Sequence, residues 1–375
     1  MNRASQLAVF ADSDPQNPDR LCDLLDEWLV AGNIEQALAR IHAAPSSLQQ
    51  LPGVRFRQAR CALVRGDRKE AIELLQALLA GGEASFGVVH DLAYAQFADG
   101  TLDTALQTLA HVSAHGEDAS VLALLKARIL HRQQRFEAAI EALAPVQAGA
   151  RLPEAQGLRA LLWLDLGDTE RASAEAERAL GVDPDQHEAG IVRGTVALWS
   201  QRGEASTEAF EHVLATHPDS GRAWLGLGQD AMLRGDVARA RSLLERASVQ
   251  MPEHLGTWHA LAWCQLLQGD LSGARRSFDK AFALDRTFGE THGGFALVHA
   301  LRGERQEAQE SVKRATRLDP QGRSARYAQS VLLLDEGRVE EARAVIDNIV
   351  ARTPGVGVLP ADFVFRLRDL VRPRS

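Results

Sequence analysis

GRAWLGLGQDAMLRGDVARARSLLERASVQMPE, residues 221–253, divides at Gly235-Asp236 into two amphipathic segments. The first carries Trp224, Leu227, Gly228 and Ala231, a spacing of three or four residues that sets one face of a helix. The second carries Ala240, Leu244 and Ala247 at the same kind of spacing and stops at Pro252, which has no N–H to continue a helix. The Gly-Asp pair between them is a turn signal. The stretch therefore predicts two helices folded back on one another.

The same unit recurs on both sides. Gly32, Gly66 and Gly100 lie 34 residues apart, Gln134 fills the next slot, and Gly167 restarts the series after one missing residue. Gln201 takes the following slot, and Gly235, Gly269, Gly303 and Gly337 then keep the 34-residue interval. Ten repeats are predicted between about Pro18 and Pro354. A second pattern supports this register. The second helix has a small residue at Ala37, Ala71, Ala105, Ala139, Ala172, Ser206, Ala240, Ala274, Ala308 and Ala342, and the first helix one at Ala59, Ala93, Ala127, Ala160, Gly194, Gly228, Ala262, Ala296 and Ser330. Leu25 in the first repeat is the exception. These are the places where paired helices press together, and overpacking such a contact costs about 1–3 kcal/mol. Pro184, Pro218, Pro252, Pro320 and Pro354 end second helices.

Residues 221–252 closely resemble a tetratricopeptide (TPR) repeat, whose pattern is Trp, Leu-Gly, Tyr, Ala, Phe, Ala and Pro at these offsets. Ala231 stands for the usual Tyr and Leu244 for the usual Phe. The resemblance covers nearly the whole chain and implies an all-α fold: a right-handed α-solenoid of stacked helix-turn-helix repeats, because no repeat can bury its apolar stripe alone. The expected layout is an N-terminal half-repeat or capping helix over 1–17, one solenoid of ten repeats over 18–354, and a C-terminal capping helix with a short tail over 355–375. In that last helix Phe363, Leu367, Leu370 and Val371 share one side, while Arg366, Asp369 and Arg372 face away.

Composition agrees with helices throughout. Apolar residues make up 45% of the 375 and aromatics 5%, and no Val/Ile-rich alternating run reads as a strand. The net charge of −8 argues against nucleic acid as a partner. Basic charge is nearly all Arg, with four Lys (Lys69, Lys126, Lys280, Lys313), which we read as the coding bias of a GC-rich bacterial genome. No apolar run approaches the roughly 20 residues of a membrane span, and the start lacks a signal-peptide core. A cytoplasmic location is expected. Cys22, Cys61 and Cys264 lie far apart with no CxxC, so neither a disulfide framework nor a zinc site is indicated. His111 and His115 stand four apart with no third ligand close in sequence; a neutral role is the simpler reading, and the same holds for His254 with His259 and His292 with His299. Asp19, Asp23 and Asp26, like Glu340-Glu341, read as solvated helix faces. No phosphate loop, HExxH, GxSxG or dinucleotide fingerprint occurs, so no enzyme, metal or cofactor is expected.

The resemblance also implies where a partner would bind. In TPR arrays the first helices line the concave surface, through positions two, five, nine, twelve and thirteen of each repeat. Carried onto this sequence, that register gives Phe56 and Arg60, His90 and Tyr94, then Leu124, Arg128, His131 and Arg132: a basic and aromatic stripe suited to an extended segment bearing carboxylates. Thr195, Trp199, Leu225, Gln229, His259 and Trp263 make a more apolar continuation, followed by Tyr327. Asn and Lys are absent from these positions, which sets aside the carboxylate clamp of heat-shock chaperone adaptors. The expected function is a non-catalytic scaffold or adaptor holding a protein or peptide ligand in the groove, in a bacterial assembly, secretion or envelope-biogenesis pathway. The alternative is a homo-oligomer that associates through its convex face or terminal cap.

Overall fold

The computed structural model describes residues 3–112, 115–146, 152–352 and 363–371. Among them are twenty helices in the repeat register, one helix before them, one after them and a single-turn helix between the second and third of the twenty. By contacts the chain separates into two compact units, Met1–Leu166 and Gly167–Ser375. The first holds α1 (Arg3–Ser13), α2 (Pro18–Val30), α3 (Ile34–Ala43), the short α4 (Ser46–Gln49), α5 (Pro52–Arg65), α6 (Arg68–Ala80), α7 (Phe86–Asp99), α8 (Leu102–Leu109), α9 (Gly116–Arg132), α10 (Phe136–Ala142) and α11 (Pro153–Asp165). The second holds α12 (Thr169–Val182), α13 (His187–Trp199), α14 (Gly203–Thr216), α15 (Gly221–Leu233), α16 (Val237–Gln250), α17 (Leu255–Leu267) and α18 (Leu271–Leu284). It continues with α19 (Gly289–Arg302), α20 (Arg305–Leu318), α21 (Arg323–Asp335), α22 (Val339–Arg352) and α23 (Phe363–Val371).

Where the turn is Gly-Asp, its two residues do different jobs. The glycine takes a left-handed backbone (φ +80° at Gly66 and Gly235) that lets the next amide reach back to the first helix, as in Asp236 N–H to Ala231 O at 2.9 Å. The aspartate after it caps the second helix: Asp67, Asp168, Asp236 and Asp270 each accept from the amide three residues on, at 2.7–3.2 Å. Gln134 (φ +59°) and Gln201 (φ +57°) hold the same left-handed conformation in the two slots without glycine, with the same return bonds from Arg135 to Leu130 and Arg202 to Ala197. A side chain is strained there. Replacing Gln201 by glycine is expected to stabilise the C-terminal unit by about 0.5–1 kcal/mol; a lower urea midpoint would refute the turn assignment.

Every described member of the small-residue series is buried, the alanines at essentially zero exposure. At Gly228 an added Cβ would lie 2.7 Å from the Leu244 side chain, so the paired helices touch there. Ser206 is the one departure from alanine on the second helices. Its hydroxyl is buried without a hydrogen-bond partner, and an unsatisfied buried hydroxyl costs about 1–3 kcal/mol. Ser206→Ala should therefore raise stability by about 1 kcal/mol in equilibrium urea unfolding, with no change in slope.

A further periodic device closes the second helices. Trp224 and Trp258 donate from Nε1 to the carbonyls of Pro218 and Pro252, each at 2.8 Å. One and two periods later His292 Nε2 lies 2.9 Å from Arg286 O, and Arg326 donates to Pro320 O at 3.4 Å. Three residue types thus serve one carbonyl, which is why that position is chemically diverse in the sequence. The cores are local and join neighbouring repeats, as a stacked-repeat fold requires: in the first unit around Leu25, Leu75, Ile129 and Leu143, in the second around Leu244 and then Phe278 to Ile349.

Candidate functional site

The C-terminal unit contains a cavity of about 430 Å³, within the size range of ligand pockets. Trp199, at the end of α13, Gln229 of α15, His259 and Trp263 of α17 and Tyr327 of α21 all line it. Five of the sequence-predicted groove residues are therefore brought together. Gly293 has no side chain, and a Cβ there would sit 2.6 Å from the Ala325 amide nitrogen and 2.7 Å from Ser324 Cβ. This lets α19 lie close on α21, much closer than it lies to α17. Glu290 is the α19 residue in the cavity lining, and Arg323, Ser324 and Tyr327 of α21 stand with it across from the α17 side chains.

Its walls are aromatic. Trp263 and Tyr327 meet edge to face with ring centroids 5.7 Å apart. His259 stands edge-on to Phe278 at 5.4 Å and to Phe288 at 5.3 Å, with Nε2 2.8 Å from the Thr291 hydroxyl. Burial between those rings pushes the imidazole down to about 4, with the Glu290 charge opposing, so His259 is neutral at pH 7. Glu290 does not present a free carboxylate to the cavity. It accepts from the backbone amides of Arg323 (2.5 Å) and Ser324 (3.1 Å) and from the Ser324 hydroxyl, capping α21. Trp199 and Gln229 are exposed at the mouth. Tyr327, expected as an exposed contact, is only 3% exposed and forms the floor. Phe288, Glu290 and Arg323 were not expected in the site. Their signal was the run of glycines at Gly289, Gly293 and Gly294, which marks a helix able to approach its neighbour closely.

The N-terminal stripe behaves differently. Phe56 packs under Gly87, where an added Cβ would meet its ring at 3.0 Å. Arg60 lies over Phe56 at 5.9 Å and 3.7 Å from Asp91, whose other oxygen is 2.9 Å from His90 Nδ1. His131 Nε2 is 2.7 Å from Asp165, and Arg132 covers Phe97 at 5.7 Å. Asp91 and Asp165, overlooked in the sequence, offset much of the positive charge assigned to this face. Arg128 is half-buried, and Tyr94, at 48% exposed, is the most open aromatic of the set.

A tetratricopeptide repeat model matches residues 191–252 and 295–356, and a second tetratricopeptide repeat model matches 231–290. The chain is a tetratricopeptide repeat protein. The matched residues take in the helix pairs from α13 to α22, and most of the residues that line the cavity stand at positions two, five, nine, twelve and thirteen of repeats six to ten, Leu255, Ala260, Phe288 and Arg323 being the exceptions. No curated protein sequence matches the chain. Among solved structures, the Cut9–Hcn1 hetero-tetramer of the APC/C is similar at 15% identity, covering 98% of this chain and 87% of that one, with a TM-score of 0.46. PilW, a type IV pilus biogenesis factor, is similar at 22% identity over 57% of this chain and 98% of its own, with a TM-score of 0.46. The Pseudomonas aeruginosa pilF gives 18%, 54%, 93% and 0.44 for the same four quantities. No described helix of this TPR protein is long and apolar enough to cross a membrane.

Proposed function

We propose that this TPR protein is a non-catalytic scaffold that holds a segment of a partner protein on its first-helix face, anchored in the C-terminal cavity. The observation that carries this reading is the convergence of Trp199, Gln229, His259, Trp263 and Tyr327 on one cavity. Large rigid aromatic side chains around a concavity are the usual anchors of a protein interface. The neutral His259 and the occupied carboxylate of Glu290 make the interior suited to an apolar partner side chain, while Gln229 and Arg323 supply polar contacts at its edge. The N-terminal stripe is secondary in this reading, because Arg60 and His90 already face Asp91 and His131 faces Asp165. The scaffold belongs, in this proposal, to a bacterial assembly, secretion or envelope-biogenesis pathway.

The test compares three forms of the full chain in affinity capture from source-cell lysate: the natural chain, Trp199→Ala with Trp263→Ala, and Tyr94→Ala with Arg128→Ala. A protein held by the natural chain should be lost from the first variant, by tenfold or more in affinity, and kept by the second. Loss from the second variant alone would move the site to the N-terminal unit. Equal retention by all three would remove the first-helix face as the binding surface.

A further inference from the structure

The first-helix face of the C-terminal unit closes toward its end. At the thirteenth position of successive repeats, Trp199 is 46% exposed and Leu233 48%, Leu267 is half-buried, and Leu301 is wholly buried. The ninth position follows the same course, from exposed Gln229 through half-buried Trp263 to buried Leu297 and Val331. The chain's own α23 lies at this closed end. It packs on α21 and on α19, both first helices. Leu367 is buried in the same core cluster as Leu297, Leu301 and Val331, with Val371 at the edge of that cluster. Arg368 Nε lies 2.9 Å from Oδ1 of Asp335, the thirteenth position of the tenth repeat. Arg366 and Asp369 point to solvent. The sequence predicted a helix covering the last repeat; the contacts put it on the first helices of the last two.

We propose that α23 is a built-in occupant of this face and shows what the face recognises: an amphipathic helix with apolar side chains four residues apart and an arginine next to the first. The inference rests on reading the first-helix face as the binding surface. An apolar pair on one helix side with a flanking cation is the helix-in-groove mode of recognition, and Asp335 supplies the complementary charge. A partner helix of this chemistry takes the seat by displacing α23 and extends from there toward the Trp263–Tyr327 cavity. Because α23 is tethered to the surface it covers, it competes at an effective concentration on the order of millimolar. Partner access is therefore restrained by the chain itself.

The experiment uses the full chain and a fluorescein-labelled synthetic peptide with the sequence of residues 361–375, followed by fluorescence anisotropy. The natural chain, with its seat filled, should bind the peptide weakly. Leu367→Asp combined with Arg368→Glu should bind it at least tenfold more tightly. Adding Asp335→Arg to that variant should abolish binding, and a peptide carrying Arg368→Glu should restore it. A folded double variant that does not take up the peptide overturns the proposal. If Leu367→Asp leaves the C-terminal repeats unfolded by circular dichroism, the milder Arg368→Glu chain decides: tighter peptide binding than the natural chain supports the proposal, and no gain overturns it. Failure here is separable from failure of the scaffold reading. Partner loss on Trp263→Ala without peptide uptake leaves the scaffold standing and removes this seat, whereas peptide uptake without any Trp263-dependent partner does the reverse.

Discussion

Phe210→Ala is expected to lower the stability of the C-terminal unit by about 3–5 kcal/mol, the range for emptying a fully buried phenylalanine site. Phe210 has no exposure, and its ring sits between two glycines of the flanking first helices. A Cβ on Gly194 would approach the ring to 2.7 Å and one on Gly226 to 2.2 Å, so both helices are moulded to this side chain. The cavity left by truncation cannot be refilled without moving α13 and α15 together, which neighbouring repeats resist. Equilibrium urea unfolding of natural and variant chains measures the loss. A change under about 1 kcal/mol would mean that the helices collapse freely onto the gap, and the close-packed account of the repeats would fail. The pairing is specific to the repeat: Phe278 has Gly294 against its ring in the same way, whereas Leu244, in the same slot of the repeat between, is followed by Ala260 instead of glycine.

The fold was legible because its determinants are local and periodic. A turn needs a left-handed residue at a fixed place, so the slots held by Gln134 and Gln201 could be assigned without a glycine, and both have positive φ. A close helix crossing needs a small residue, and the described members of the small-residue series, mostly alanine, are all buried. The site was legible in part for the same reason: its residues follow the repeat register. What periodicity does not carry is the variation between repeats. Gly293 lets α19 lie close on α21, a spacing set by one missing side chain rather than by the pattern. The offset of Arg60 and His90 by Asp91 depends on side-chain reach between adjacent first helices, and the seat of α23 on two first helices depends on the path of the chain after the last repeat. Neither has a spacing that announces it.

Acidification should weaken the C-terminal unit through His259. In the unfolded chain this imidazole titrates near its ordinary value of 6.5; in the folded chain burial between Phe278 and Phe288 holds it at about 4. The folded state thus binds fewer protons between those two values, and wherever that is so stability rises with rising pH and is lost as the pH falls. The contribution is complete above pH 6.5, is lost progressively from 6.5 to 4, and changes no further below 4. With 1.36 kcal/mol for each unit of difference, the total is about 3 kcal/mol. Other groups titrate over the same range, so the measurement is a difference. Urea unfolding of the natural chain and of His259→Gln is followed at half-unit steps from pH 7.5 to 4, where glutamine retains a hydrogen bond to Thr291 but no titration. The gap between the two curves should shift by about 3 kcal/mol in favour of the glutamine chain as the pH falls. Parallel curves would show that His259 protonates in place, and the aromatic cavity would then be open enough to water to solvate a cation, which is the opposite of the dry interior on which the apolar anchor depends.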